Sequence, residues 1–303
     1  MNGPPGASGA NPEEVAPRHL ALLVVMNLIW GLNLVASKVG VGYFPPIFFT
    51  ALRFTVLGTL LLPWLRLHRG EMRNLLAAAV LTGPVTFALM FIGIARVHEV
   101  STVAVINQLG VPFSTLLSVW LLGERIRWWR RLGIALAFAG VVVISFDPRV
   151  LVDRDGLGLL AVSAFAGALG VIFIKTLRTV KPLELQAWVS ASGAVVLLAM
   201  SLSLESGQVD SMRAAGRIGW SALAYTVFLA SLVAHTSWYW LVGRYPVTRL
   251  AALTLLTPLF GILFGVTVLG DELTSRMIVG SAITLAGVYI VVRREQRIFD
   301  TGT

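Results

Sequence analysis

The feature that most constrains this chain is a succession of apolar runs, each about 20 residues long, separated by short loops that hold most of the Lys and Arg. A helix rises about 1.5 Å per residue, so roughly 20 apolar residues cross a hydrocarbon layer about 30 Å thick. A soluble core cannot absorb so many such runs. Of 303 residues, 56% are hydrophobic and 13% charged, against roughly 45–50% and 25% in soluble domains. Lipid is therefore the expected solvent, and the expected class is an all-α polytopic membrane protein.

Ten segments can be drawn: Leu20–Gly40, Pro46–Leu67, Asn74–Ala95, Val100–Leu122, Leu132–Phe146, Leu157–Leu177, Leu183–Leu204, Ile218–Val242, Val247–Leu269 and Met277–Val292. The fifth and tenth are shortest and are expected to start in the preceding loop, near Trp128-Trp129 and Ser275, where indole rings suit the interface. Residues 1–17 are rich in Gly, Pro and Ala and lack the basic start and cleavage site of a secretory signal. They are expected to be a disordered tail, with the first apolar run retained.

Loop charge tests this drawing, because cytoplasmic loops are enriched in Lys and Arg. On the N-terminal side the alternate loops hold 16 such residues, among them Arg125, Arg127, Arg130 and Arg131, against 7 on the other side. An even number of spans with both termini cytoplasmic, in a bacterial inner membrane, is the expectation. The net charge of +9 then reflects membrane orientation rather than nucleic-acid binding. With no Cys, a disulfide framework, a thiolate metal site and a Cys nucleophile are excluded.

The chain also repeats itself. Val111-Pro112 through Gly123-Glu124, Gly133 and Gly140 parallels Thr257-Pro258 through Gly270-Asp271-Glu272, Gly280 and Gly287, and Lys38 followed by Pro45 matches Lys175 followed by Pro182. The period is about half the chain, or five helices. Because five is odd, the second copy must enter the membrane from the opposite face, an inverted repeat. The expected units are a tail to residue 17, a first five-helix repeat over 18–148, a second over 149–293 and a C-terminal tail over 294–303.

Ile29-Trp30-Gly31-Leu32-Asn33 in the first helix, Ala51-Leu52-Arg53-Phe54 in the second, and a Leu-Gly-acid turn before a Gly-x6-Gly helix in each half resemble the drug/metabolite transporter superfamily, EamA type. The resemblance covers nearly the whole chain and extends to its amino-acid exporter branches, aromatic-amino-acid exporters included. It implies a secondary exporter of small metabolites working by alternating access. It also implies that the fourth and ninth helices line a central cavity while the fifth and tenth pack at the periphery. Export of a drug-like cation or another metabolite is the alternative within that class.

An ionisable side chain at bilayer depth costs about 2.5–3.5 kcal/mol on insertion scales, so neutral polar groups are the better site candidates. Asn33, Asn107, Gln108 and His235 can bind a zwitterion without leaving an orphan charge when empty; interhelical hydrogen bonding is the structural alternative. His235, Trp238 and Tyr239 share a helix face at i, i+3 and i+4. With Trp30 they offer an aromatic lining, though such rings also favour the interface. Lys38 and Lys175 could meet a substrate carboxylate at opposite ends of a pathway or simply anchor at the interface. Arg53 could snorkel to the headgroups or line the outer mouth. Pro112 and Pro258 would kink equivalent helices and so serve as hinges, unless they are merely tolerated. Glu124, Asp271 and Glu272 read as caps for the following helices.

No span carries Asp or Glu near its centre, so proton coupling lacks its usual carrier, and no Gly-x4-Gly-Lys-Ser/Thr loop for ATP is present. His98-Glu99 lacks the second His of a zinc-protease helix, and no catalytic or metal-binding set, and no cofactor, is expected. The rival class is an integral-membrane enzyme acting on a lipid-linked substrate, for which Asp147, Asp153 and Asp155 form the acidic cluster. The expected partners are a small-molecule substrate and the lipid bilayer, with the chain a monomer or weak homodimer.

Overall fold

The computed structural model describes residues 15–98, 103, 106–124, 128–145, 154–247, 250 and 253–300. Among them the regular structure is helical throughout, and five helices are long and apolar enough to cross a membrane, with four shorter apolar ones beside them. In chain order the helices are α1 (Pro17–Tyr43), α2 (Pro46–Leu60), α3 (Met72–Arg96), α4 (Gly110–Leu122), α5 (Trp128–Ser145), α6 (Arg154–Thr176) and α7 (Pro182–Leu204). The short α8 (Gln208–Ala214), α9 (Gly216–Arg244), α10 (Thr257–Leu269) and α11 (Ser275–Asp300) follow.

Proline punctuates the sequence where the spans begin. Pro17, Pro46 and Pro182 each occupy a first helical position, where the missing N–H costs nothing and the fixed φ is already helical. Phe44-Pro45 breaks the chain between α1 and α2, and Gly123 and Gly270, both at positive φ, end α4 and α10. The second span stops short of the expected Leu67, giving way to a 3-10 turn over Leu62–Trp64.

Helices α2 and α7 are tied by charge as well as by packing. Nothing in α2 caps its own first turn. Instead the Glu205 carboxylate, just past α7, accepts both Ile47 N–H and Phe48 N–H at 2.8 Å, placing negative charge at a positive helix end. A matching clasp joins the opposite loops, where Glu71 accepts the backbone N–H groups of Arg178 and Thr179.

The most extensive contacts run between the two copies of the repeat, in a pattern symmetric under their exchange. Helix α1 packs on α10 as α6 packs on α4, α3 packs on α6 as α9 packs on α1, and α2 pairs with α7 and α5 with α11. Two of these contacts are close enough to demand glycine. A Cβ on Gly31 would lie 2.4 Å from Phe260 Cβ, and one on Gly140 would lie 2.4 Å from the Gly280 carbonyl oxygen. Helices α5 and α11 touch chiefly each other. Large apolar side chains face outward, with Trp120 at 86% and Leu202 at 74% exposure, a surface that only lipid would solvate.

Candidate functional site

The helical order breaks at equivalent places in both copies. In α3 a π-helical turn over Leu81–Val85 contains Pro84 and non-helical Gly83, and in α9 a π-helical stretch runs over Thr226–His235. Such irregularities inside helices frequently mark functional positions. The fourth helix of each copy is broken too. A 3-10 turn over Asn107–Leu109 precedes α4, and one over Thr254–Leu256 precedes α10. Pro112 and Pro258 lie just inside the regular helices that follow. Neither proline can donate to the carbonyl four residues upstream, which falls within the 3-10 turn; that of Thr254 accepts instead from Thr257 N–H. The break is thus displaced about one turn from the proline itself.

These irregular segments surround a cavity of about 260 Å³. Its wall is built from α1, α3, α4, α6, α9 and the start of α10, which are the first, third and fourth helices of each copy. Trp30, Asn33, Asn107, His235, Trp238 and Tyr239 all lie on that wall. The Gln108 side chain is outside the described residues.

The rings form a connected cluster. Trp30 meets His235 edge-on at 5.3 Å between centroids and Trp238 at 5.7 Å, while His235 lies 5.7 Å from Phe87 and 6.4 Å from Tyr239. His235 Nδ1 lies 2.5 Å from the Ala230 carbonyl oxygen and 3.3 Å from Trp30 Nε1; the shorter contact calls for a proton on Nδ1, whereas accepting from the Trp30 N–H calls for a lone pair there. In a neutral ring the first tautomer leaves Nε2 as the acceptor and the second leaves it as the donor. Asn33 is 4% exposed, and its side-chain carbonyl oxygen has no hydrogen-bond partner. A buried acceptor without a donor is costly, and this one sits where a ligand N–H could satisfy it. Among the described residues Asn107 makes a long contact, Nδ2 to Met90 Sδ at 3.7 Å.

Lys38 and Lys175 are not on the wall. Lys38 Nζ donates to the Ile94 and Val97 carbonyls at the end of α3, and Lys175 Nζ donates to the Val242 and Tyr245 carbonyls at the end of α9, at 3.0 and 2.9 Å. Glu124 accepts the Val247 N–H at 3.1 Å, which ties it to the ninth segment. Arg53 departs furthest from expectation. Its side chain is 1% exposed and reaches neither headgroups nor solvent.

Sequence reasoning missed Thr82, Thr86, Phe87, Ser114 and Ser163, all on the wall. Gly83-Pro84 in mid-span was the visible signal for the first three. The serines carry no signal that separates them from ordinary helix hydroxyls.

A helical membrane protein with a polar-and-aromatic cavity shared symmetrically by two internal copies has the makings of a transporter. The comparisons agree: the EamA-like transporter family matches residues 18–146 and again 155–293, and the chain belongs to that family. Proteins called "Probable amino-acid metabolite efflux pump" in Salmonella typhimurium and Escherichia coli are each 29% identical over 90% of this chain and 93% of their own length. An uncharacterised transporter of Archaeoglobus fulgidus is 31% identical over 91% of this chain and 98% of its own. A protein of known crystal structure superposes with a TM-score of 0.73 over 94% of this chain and 99% of its own, at 17% identity, which establishes the fold.

Proposed function

We propose that this chain exports small metabolites, amino acids including aromatic ones, by alternating access through the cavity between its two copies. In this reading ten spans form two inverted five-helix repeats in a bacterial inner membrane, with both termini cytoplasmic. The observation that carries it is the cavity itself, walled by equivalent helices of both copies and lined by neutral amides and aromatic rings. Its volume lies just below the roughly 300–1,000 Å³ of pockets for drug-sized ligands, which suits a single amino acid. The wall contains no carboxylate among the described residues, so a drug-like cation would find no counter-charge there. The names of the bacterial relatives point the same way.

Within the site, the Asn33 carbonyl oxygen accepts from the substrate ammonium, Asn107 supplies a second amide, and Trp30, Trp238 and Tyr239 enclose the side chain. The broken turns before Pro112 and Pro258 act as hinges for the fourth helix of each copy. Radiolabelled amino-acid counterflow in proteoliposomes tests this, with Asn33→Ala and Asn107→Ala beside wild type. Saturable flux reduced about tenfold or more by either substitution is expected. Absence of flux for every amino acid would sink the proposal, and flux indifferent to both substitutions would remove the assigned site.

A further inference from the structure

Arg53 is the largest fully buried side chain among the described residues, at the middle of α2. Its Nε donates to Ser231 Oγ at 2.6 Å, while Nη1 is buried with no hydrogen-bond partner. No carboxylate is paired with it among the described residues. An unneutralised cation inside a membrane protein is expensive, and such residues almost always face the bundle interior or a water-filled cavity. Here the cavity is one aromatic ring away. The guanidinium carbon stands 4.5 Å from the centroid of the Phe87 ring, and Phe87 lines the cavity with His235 behind it at 5.7 Å. His235 and Tyr239, both on the wall, lie within electrostatic reach of the same charge.

The ring is a poor barrier to that field. Its π-face attracts the guanidinium, and Phe is a side chain that turns about two torsions. Since no protein carboxylate supplies the counter-charge, a ligand can.

We infer that the cavity recognises a carboxylate, and that Arg53 is its counter-charge, reached when Phe87 swings aside and frees the unpartnered Nη1. This deepens the exporter reading and rests on it for the identity of the site. The arrangement explains why the acid and amine ends of a zwitterion would be read differently. The amine meets the neutral Asn33 acceptor, and the acid meets a full positive charge on the far side of Phe87. An arginine pairs with a carboxylate through two parallel hydrogen bonds, which fixes orientation as well as affinity.

Binding by purified protein tests this without requiring transport. Four probes serve, L-phenylalanine with L-phenylalaninamide and phenylacetate with phenylacetamide, each titrated by the shift of the melting temperature. Wild type is expected to favour the acid of each pair by about tenfold or more, the size of one charged hydrogen bond. Arg53→Gln loses that preference and Arg53→Lys keeps part of it. Phe87→Ala, which removes the partition, raises the preference; an unchanged or lower one counts against the inference and also decides the matter should Arg53→Gln fail to fold. Equal binding of acid and amide by wild type overturns it, as does a wild type that responds to neither pair or an Arg53→Gln that still prefers the acid. Acid-selective binding without flux in proteoliposomes would remove the exporter and leave Arg53 in place, whereas equal transport of acids and amides would do the reverse.

Discussion

Lys38 and Lys175 make the same interaction twice. Each lies near the end of the first helix of its copy and donates to two carbonyls, three residues apart, at the end of the third helix of that copy. Those carbonyls lie at the negative end of a helix, where intrahelical donors run out, although Ile94 also accepts a long bond from Val97 N–H at 3.4 Å, so a cation there supplies donors and neutralises.

Replacing either lysine by Met is therefore expected to lower stability by similar amounts, about 1–3 kcal/mol for a lost charged hydrogen bond that leaves a buried acceptor. Because the two sites share no partner, the double substitution should be additive within about 0.5 kcal/mol. Thermal melts of the four proteins in one detergent check this, and a marked asymmetry between the single variants would contradict structural equivalence.

Arg53→Met is expected to raise the melting temperature of the empty protein. Removing a buried charge that lacks a partner relieves more desolvation than the Ser231 bond and the Phe87 contact return. A stabler protein that no longer separates acid from amide would mark Arg53 as kept for its ligand; a lower melting temperature would mark it as a structural post.

Glu205→Ala should destabilise the α2 and α7 pair by about 1–2 kcal/mol, the usual loss for a helix N-terminal cap. Glu205→Gln should lose less, since one amide oxygen still accepts from Ile47 or Phe48. Melting curves rank the three, and Gln equal to Ala would show that charge rather than hydrogen bonding holds the helix end.

Gly140→Leu should separate α5 from α11, because the new side chain has backbone for a neighbour at 2.4 Å. Overpacking costs about 1–3 kcal/mol. Since neither helix contributes to the cavity wall, probe binding should survive wherever the variant folds, and Gly31→Leu, beside Trp30 and against Phe260, should lose both.

An imposed pH difference without a substrate gradient should drive no uptake into proteoliposomes, because no carboxylate lines the cavity among the described residues. Robust uptake under that condition would require a proton carrier elsewhere in the path.

The apolar runs and the prolines that open them are written locally, which is why Asn74–Ala95 and Leu183–Leu204 fall within two residues of α3 and α7. The aromatic wall was legible as well, because His235, Trp238 and Tyr239 declare a shared face by spacing alone. Arg53 was not, since what buries it comes from Ser231, 178 residues away in the chain, and from Phe87. Nor were the acceptors of the two lysines. Their equivalence shows in the sequence, but their partners are backbone carbonyls, and every residue has one. The acidic residues Asp147 and Asp153 lie outside the described residues.

The exchange of contacts between copies, α1 on α10 and α6 on α4, with α2 on α7 beside them, has a consequence for how such a chain can be divided. Neither half owns the surface that covers its own helices, so a polypeptide ending between α5 and α6 would be an unfinished object in the bilayer, greasy where it should be plugged. Expressed together as two pieces, the halves should find each other and rebuild the chamber; expressed singly, each should seek a second molecule of itself lying the other way up.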